Sequence, residues 1–329
     1  MRATRPRFMH GRTARQSGRA ARSWLGGMGG AAFLAACVVS PQLDGRATQP
    51  PPARKEAGYE ASAESRELQR YYAQLQADLL ARGLMRTDGG SRDAPFNSRI
   101  LVRNFIRIAM YDEFDGSSGN LVARETESRL RRWARPVRVA LRFGASVAPG
   151  DRSTERARVA SYLARLSRLT GQSVRLNDQN PNFFLYFVDE DERRALGPEI
   201  RANMPGITAA EIEAFTRMPT ATYCQVTAAV DNATSEYRRA FAVIRSEHPE
   251  LLHLSCLHEE MAQGLGLPND SPSARPSIFN DDQEFALLTP MDELLLQILY
   301  DGRLAPGMTI AQARPVIEMI AAEKLGGPS

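Results

Sequence analysis

The sequence predicts a mixed α/β (α+β) fold built on one twisted mixed sheet. Three observations carry this. Between about residues 136 and 244, short runs of strand character alternate with stretches of helical period. The run Phe183–Val188 is aromatic and aliphatic throughout and ends on a β-branched residue, as a strand should be. Apolar residues make up 43% of the 329 and charged residues 24%, which excludes wholesale disorder and a polytopic membrane protein.

Taken in order, the chain begins with a basic segment. Residues 1–36 hold seven arginines and no acid, and removing them turns the net charge of +4 into −3. The positive charge therefore belongs to this segment, and nucleic-acid binding has no compositional support. An apolar run from Trp24 to Ala36 follows, too short to span a bilayer as a mature helix. Leu34-Ala35-Ala36-Cys37 resembles the bacterial lipobox, which implies a signal peptide over 1–36 and lipid on Cys37. Val38, not Asp, comes next, so the resemblance implies an exported, periplasm-facing lipoprotein anchored in the outer membrane. Residues 37–61 are Pro-rich and aperiodic and read as a tether.

Residues 62–94 read as an N-terminal helix and linker, with Leu68, Tyr72, Leu75 and Leu79 at helical spacing. The main domain is expected over 95–329. It opens with a helix from Ile100 to about Tyr111. Strands are expected at 136–143, 174–176, 183–188, 224–230 and 239–244. Helices are expected at 153–169, which Gly171 stops, at 191–204, at 250–265 and at 291–300.

Three cysteines are present. With Cys37 lipidated, Cys224 and Cys256 remain, and an even pair in an oxidising compartment reads as one disulfide. The alternative is two buried free thiols.

The chemistry concentrates in Cys256-Leu257-His258-Glu259-Glu260-Met261-Ala262-Gln263-Gly264-Leu265-Gly266-Leu267-Pro268-Asn269-Asp270. A His-Glu pair on a helix invites comparison with the zinc-protease pattern His-Glu-x-x-His. The frame starting at His258 fails, because the second ligand position is Ala262 and the third is Pro268. Shifted by one residue, the segment resembles the longer metzincin pattern His-Glu-x-x-His-x-x-Gly-x-x-His. That resemblance puts Glu259, Gln263 and Asn269 (or its neighbour Asp270) at the ligand positions, Glu260 at the catalytic acid and Gly266 at the turn. Ser277-Ile278-Phe279-Asn280 resembles the Met-turn, with Phe279 in place of Met. Thr289–Tyr300 resembles the last metzincin helix.

The wording is closer still to a bacterial lipoprotein family, domain of unknown function 2927, of which the chain is identified as a member. The matching stretches are Cys256–Asp270, Pro276–Asp282, Leu287–Tyr300 and Arg303–Thr309, within about residues 95–310. Together the resemblances imply a zincin-like fold with a long active-site-type helix and a helical C-terminal subdomain. The family name implies no reaction.

The departures set the expected chemistry. Zinc favours nitrogen and sulfur ligands, and none of the three positions holds His. Oxygen donors suit a hard divalent metal better, so such a site is one alternative and loss of the metal is the favoured one. At about 100° per residue, Cys256, Glu260 and Gln263 share a helix face, whereas His258 points about 160° away from Glu260. His258 therefore reads as a satisfied histidine. A thiolate role for Cys256 lacks an evident base. Adjacent acids are usually a solvated face, but Leu257, Met261, Leu265 and Leu267 indicate burial. A buried Glu260 would need a partner, Gln263 and Arg275 being the candidates. Asp270, Asp281 and Asp282 suit turn capping as well as binding. The expectation is a noncatalytic, membrane-tethered binding domain, without zinc or another cofactor, for a peptide or envelope-protein partner. The alternative is a peptidase-like hydrolase with Glu260 as general base and a noncanonical metal. A third reading is a purely structural lipoprotein.

Overall fold

A computed structural model of the chain describes residues 59–115, 122–280 and 282–326. The expected signal segment, Cys37 and all but the end of the tether lie outside the described residues.

Helix α1 (Ala63–Ala81) starts at Ser62, whose side chain accepts from the Ser65 amide. Its buried face sets Tyr72 and Leu79 against Met85, Leu252 and Ala286. Ser65 Oγ donates to Glu247 Oε1 at 2.9 Å, and Tyr72 Oη donates to the Thr220 carbonyl at 2.9 Å. Helix α2 (Ser98–Ala109) is capped by Asn97. A ribbon follows, β1 (Tyr111–Asp115) antiparallel to β2 (Val122–Glu127).

The main sheet begins with β3 (Val137–Phe143). Helix α3 (Pro149–Thr170) ends at Gly171 in the left-handed conformation, where the sequence predicts the stop. Then come β4 (Val174–Leu176), β5 (Phe183–Val188), α4 (Glu190–Arg194), α5 (Gly197–Asn203), α6 (Ala209–Thr216), β6 (Cys224–Val230) and β7 (Tyr237–Arg245). The strand order is β4-β3-β5-β7-β6. All neighbours are parallel except β6, which pairs antiparallel with β7 as an edge strand. The chain closes with α7 (Glu250–Gly266), α8 (Pro290–Leu299) and α9 (Ile310–Lys324).

Both faces of the sheet are covered, so the central strand β5 is buried at every residue. The period of two sorts its side chains between two cores. Phe183, Leu185 and Phe187 join Cys256, Leu257, Met261 and Leu265 of α7. Phe184, Tyr186 and Val188 join Leu196, Ile200 and Phe215 on the other face. The mixed α/β class is what the sequence predicts.

Four details differ from the sequence reading. The helix expected at 191–204 is two short helices, because Pro198 in the first turn of α5 lacks an amide hydrogen and starts a new helix. The β1–β2 ribbon, α6 and α9 were not anticipated. Pro315 lies inside α9 and masks its period, although Thr309 and Gln312 form a capping box there. Among the described residues, no helix is long and apolar enough to cross a membrane.

Candidate functional site

Helix α7 carries the residues singled out by sequence, and its environment explains its composition. Cys256 bonds to Cys224 on β6, with Cα atoms 5.8 Å apart, so the helix is pinned to the antiparallel edge of the sheet. The expected disulfide is therefore present. Gly264 lets the helix approach β5, since a Cβ there would lie 2.6 Å from the Phe183 ring. Gly266 has φ +126°, and a Cβ would meet the Arg131 carbonyl oxygen at 2.5 Å. This glycine ends the helix, as the sequence pattern requires. The last carbonyls of α7 are not left bare: Trp133 Nε1 donates to Gly264 O at 2.8 Å and Tyr300 Oη to Leu265 O at 2.8 Å.

Of the two adjacent acids, Glu260 is buried at 3% exposure and Glu259 is half-buried. Glu260 thus faces the interior, on the side of the helix that holds Cys256. Gln263 Nε2 donates to Asp270 Oδ1 at 3.1 Å. Asn269 is buried and turned toward the end of α2: its Nδ2 donates to Arg107 O at 2.9 Å, and its amide to Ile108 O at 3.1 Å. The structure therefore joins Gln263 to Asp270 and commits the Asn269 side-chain amide to backbone.

The described histidines are engaged elsewhere. His258 stacks on Tyr162 with ring centroids 4.0 Å apart and planes 2° from parallel. Its Nδ1 accepts from the Leu288 amide at 3.0 Å, so the neutral ring carries its proton on Nε2. Burial drives its pKa down to about 3. His253 Nε2 lies 2.9 Å from Glu155 Oε1. His248 is buried edge-on to Tyr72, and desolvation drives its pKa well down. Arg275 is no partner of Glu260; it pairs with Glu284 at 2.6 Å on the surface.

The loop beyond α7 is knit by one buried acid that sequence reading passed over. Asp292, fully buried on α8, accepts from Ser277 Oγ at 2.5 Å, Ile278 N at 3.1 Å, Thr289 N at 2.9 Å and Thr289 Oγ1 at 2.8 Å. Burial pushes its pKa up to about 6 despite these four donors. The signal was legible: Thr289-x-x-Asp292 is a capping box. Phe279 fills the core where a Met-turn would put Met, and its carbonyl accepts from Ser271 N at 2.8 Å. Asp282 Oδ1 accepts from the Glu284 amide at 2.9 Å and so caps a turn. Asp281 lies outside the described residues.

The profile of the family described as Protein of unknown function (DUF2927) matches residues 98–319, more than half of the chain. The chain belongs to this family. No curated protein and no solved structure matches it. The DUF2927 match opens at the first residue of α2 and closes inside α9, and so takes in the whole five-stranded sheet, α7 and the Asp292 clamp. Helix α1 lies before it.

The zinc that the metzincin resemblance implies can be tested against this DUF2927 chain. Its three ligand positions offer one carboxylate and two amides. The side-chain nitrogens of both amides are bonded within the protein. Among the described residues, no group of three or more His, Cys, Asp or Glu side chains is placed to hold a metal ion. The residues present do not fit zinc.

Proposed function

We propose that this protein is a lipid-anchored domain of the cell envelope with a metallopeptidase-like scaffold that binds a peptide or envelope partner and does not hydrolyse it. In this reading residues 1–36 direct export, Cys37 carries the lipid, and 37–61 hold the domain off the outer membrane, facing the periplasm. The observation that carries it is the fate of the two amides at ligand positions: Gln263 holds Asp270, and Asn269 holds the end of α2. Neutral amide oxygens are poor zinc ligands, and no His or Cys stands at the three positions. These two side chains instead tie the end of α7 to its neighbours. The enclosure of Glu260 supports the same reading, because a general base must come within hydrogen-bond reach of substrate or water. The parallel sheet with its antiparallel edge beside α7 supports the metzincin-like scaffold.

The test is metal content and peptide cleavage on the protein purified without chelator, beside Glu260→Gln. The expectation is substoichiometric zinc and no cleavage above the Glu260→Gln background. One equivalent of zinc together with cleavage lost in Glu260→Gln would overturn the proposal. Metal-free or hard-metal cleavage with the same loss would move the function to a hydrolase with Glu260 as base.

A further inference from the structure

A second surface, made by no residue of α7, carries its own chemistry. Helices α2 and α9 pack side by side and leave a groove of about 410 Å³ between them. Arg99, Arg103 and Arg107 recur along α2 at every fourth residue and line one wall; Arg314 and Glu318 of α9 line the other. Val102, Ile106 and Tyr111 also line it. Arginine replaces lysine through most of this chain, so the number of arginines argues nothing. Their pairing does. Arg86, Arg275 and Arg303 each bond at least two carboxylates. Arg99 and Arg103, both exposed, make no ion pair among the described residues. Among the described residues Arg314 has only the exposed Glu318, at a loose 3.9 Å, and an exposed pair of that kind contributes little. Arg107 is engaged otherwise, stacked over the Tyr111 ring at 5.1 Å.

We propose that this groove binds an extended acidic peptide segment, with Arg99 and Arg103 on one wall and Arg314 on the other meeting its carboxylates. Three observations select that occupant. Positive charge stands on both walls, and among the described residues Arg99 and Arg103 have no carboxylate partner while Arg314 has only the distant Glu318. The spacing fits an extended chain: four residues of helix advance about 6 Å, and two residues of strand about 6.8 Å, so carboxylates at alternate positions match arginines at every fourth. The size excludes a helix, because about one turn of a helix 10–12 Å across would fill a groove of 410 Å³. A flat lipid surface would meet the rims of the groove and not its floor. The apolar members Val102 and Ile106 suit the residues between the acids. This surface is independent of the α7 reading, since neither zinc binding nor cleavage enters it.

The experiment is fluorescence anisotropy of a labelled hexapeptide, Glu and Val alternating, titrated with the full-length protein. The comparison peptide has Gln for each Glu. Binding of the Glu peptide is expected, weakening at least tenfold in Arg99→Gln/Arg103→Gln, threefold or more in Arg314→Gln, and several-fold from 50 to 300 mM salt. Arg175→Gln, on the edge strand β4, serves as a control and should bind as the parent does. These side chains are exposed, and circular dichroism checks that each variant folds. Equal binding of the Gln peptide, or parent-like affinity in the double variant, overturns the proposal. So does binding of anionic vesicles that the double variant loses while the Glu peptide stays unbound; that result would assign the groove to a lipid surface.

Discussion

His258 is the residue a zinc-protease reading of the sequence would reach for first, and its protonation gives a direct test of where the fold puts it. The ring is stacked on Tyr162, and its Nδ1 is occupied by the Leu288 amide. Burial lowers its pKa from 6.5 to about 3. The folded state therefore holds a neutral imidazole where the unfolded chain, below pH 6.5, binds a proton. Since the unfolded state binds more protons in that window, stability falls as pH falls. The contribution is fully present above pH 6.5 and is lost progressively down to about pH 3, at about 1.4 kcal/mol per pH unit. Between pH 6.5 and 4.5 the loss is about 2.3 kcal/mol, because the unfolded ring is only half protonated at pH 6.5, and this is a sizeable part of the roughly 5–15 kcal/mol of a typical fold. Other groups titrate in the same range: His248 acts with the same sign, and Asp292 with the opposite sign between its ordinary pKa and about 6. The measurement should therefore be a difference. Urea denaturation of parent and His258→Gln at pH 7, 6, 5 and 4.5 cancels the shared groups. The amide oxygen of Gln can still accept from Leu288, and any packing loss is a constant offset. The parent should lose about 2.3 kcal/mol relative to the variant between pH 6.5 and 4.5. A difference that stays flat with pH refutes the reasoning, because the ring would then titrate near 6.5 in the folded protein and be open to solvent or to a partner.

Two further outcomes concern α7. Gly266→Ala should cost about 3 kcal/mol or more in urea denaturation, since it adds a Cβ onto the Arg131 carbonyl at φ +126°; Gly83→Ala, at φ +75° with open space around it, should cost only about 1 kcal/mol, and equal costs would refute the collision argument. Reducing Cys224–Cys256 frees a loop with 32 residues of separation and should lower stability by about 3 to 4 kcal/mol, read as a shift in the denaturation midpoint with and without reductant; a change below about 1 kcal/mol would mean that the unfolded chain is already constrained there.

How much of the fold was legible depended on whether a local pattern was left undisturbed. Strand β5 could be read because six consecutive apolar residues, five of them aromatic or β-branched, suit few other places. Helix α3 could be read from its apolar period and its stop at Gly171. The ribbon was invisible because Tyr111–Asp115 and Val122–Glu127 are rich in acids and lack apolar alternation. Helix α9 was hidden by Pro315, and the break between α4 and α5 was concealed by a helical pattern on both sides of it. In each missed helix a capping or proline signal was present but weaker than the period being sought. The buried network that seats α1 is of another kind. Ser65 and Glu247 stand 182 residues apart, and no local pattern announces their meeting.

The candidate site divides along the same line. Helix α7, its terminal glycine, the disulfide and the largely buried character of the segment were within reach of the sequence, because each depends on spacing along one helix or on counting cysteines; which of Glu259 and Glu260 turns inward was not. What the neighbouring side chains do with their hydrogen bonds was not. Arg275 reads as a cation for Glu260 until Glu284 is seen beside it. Asn269 reads as a ligand substitute until its amide is found on the Arg107 carbonyl, 162 residues away in sequence. A motif frame names which residues stand at the positions of a resembled site, and only the three-dimensional partners say what those residues hold. Here Asn269 holds the end of α2, whose outer face carries Arg99 and Arg103. Asn269 thus ties the end of α7 to the helix that carries the proposed peptide groove.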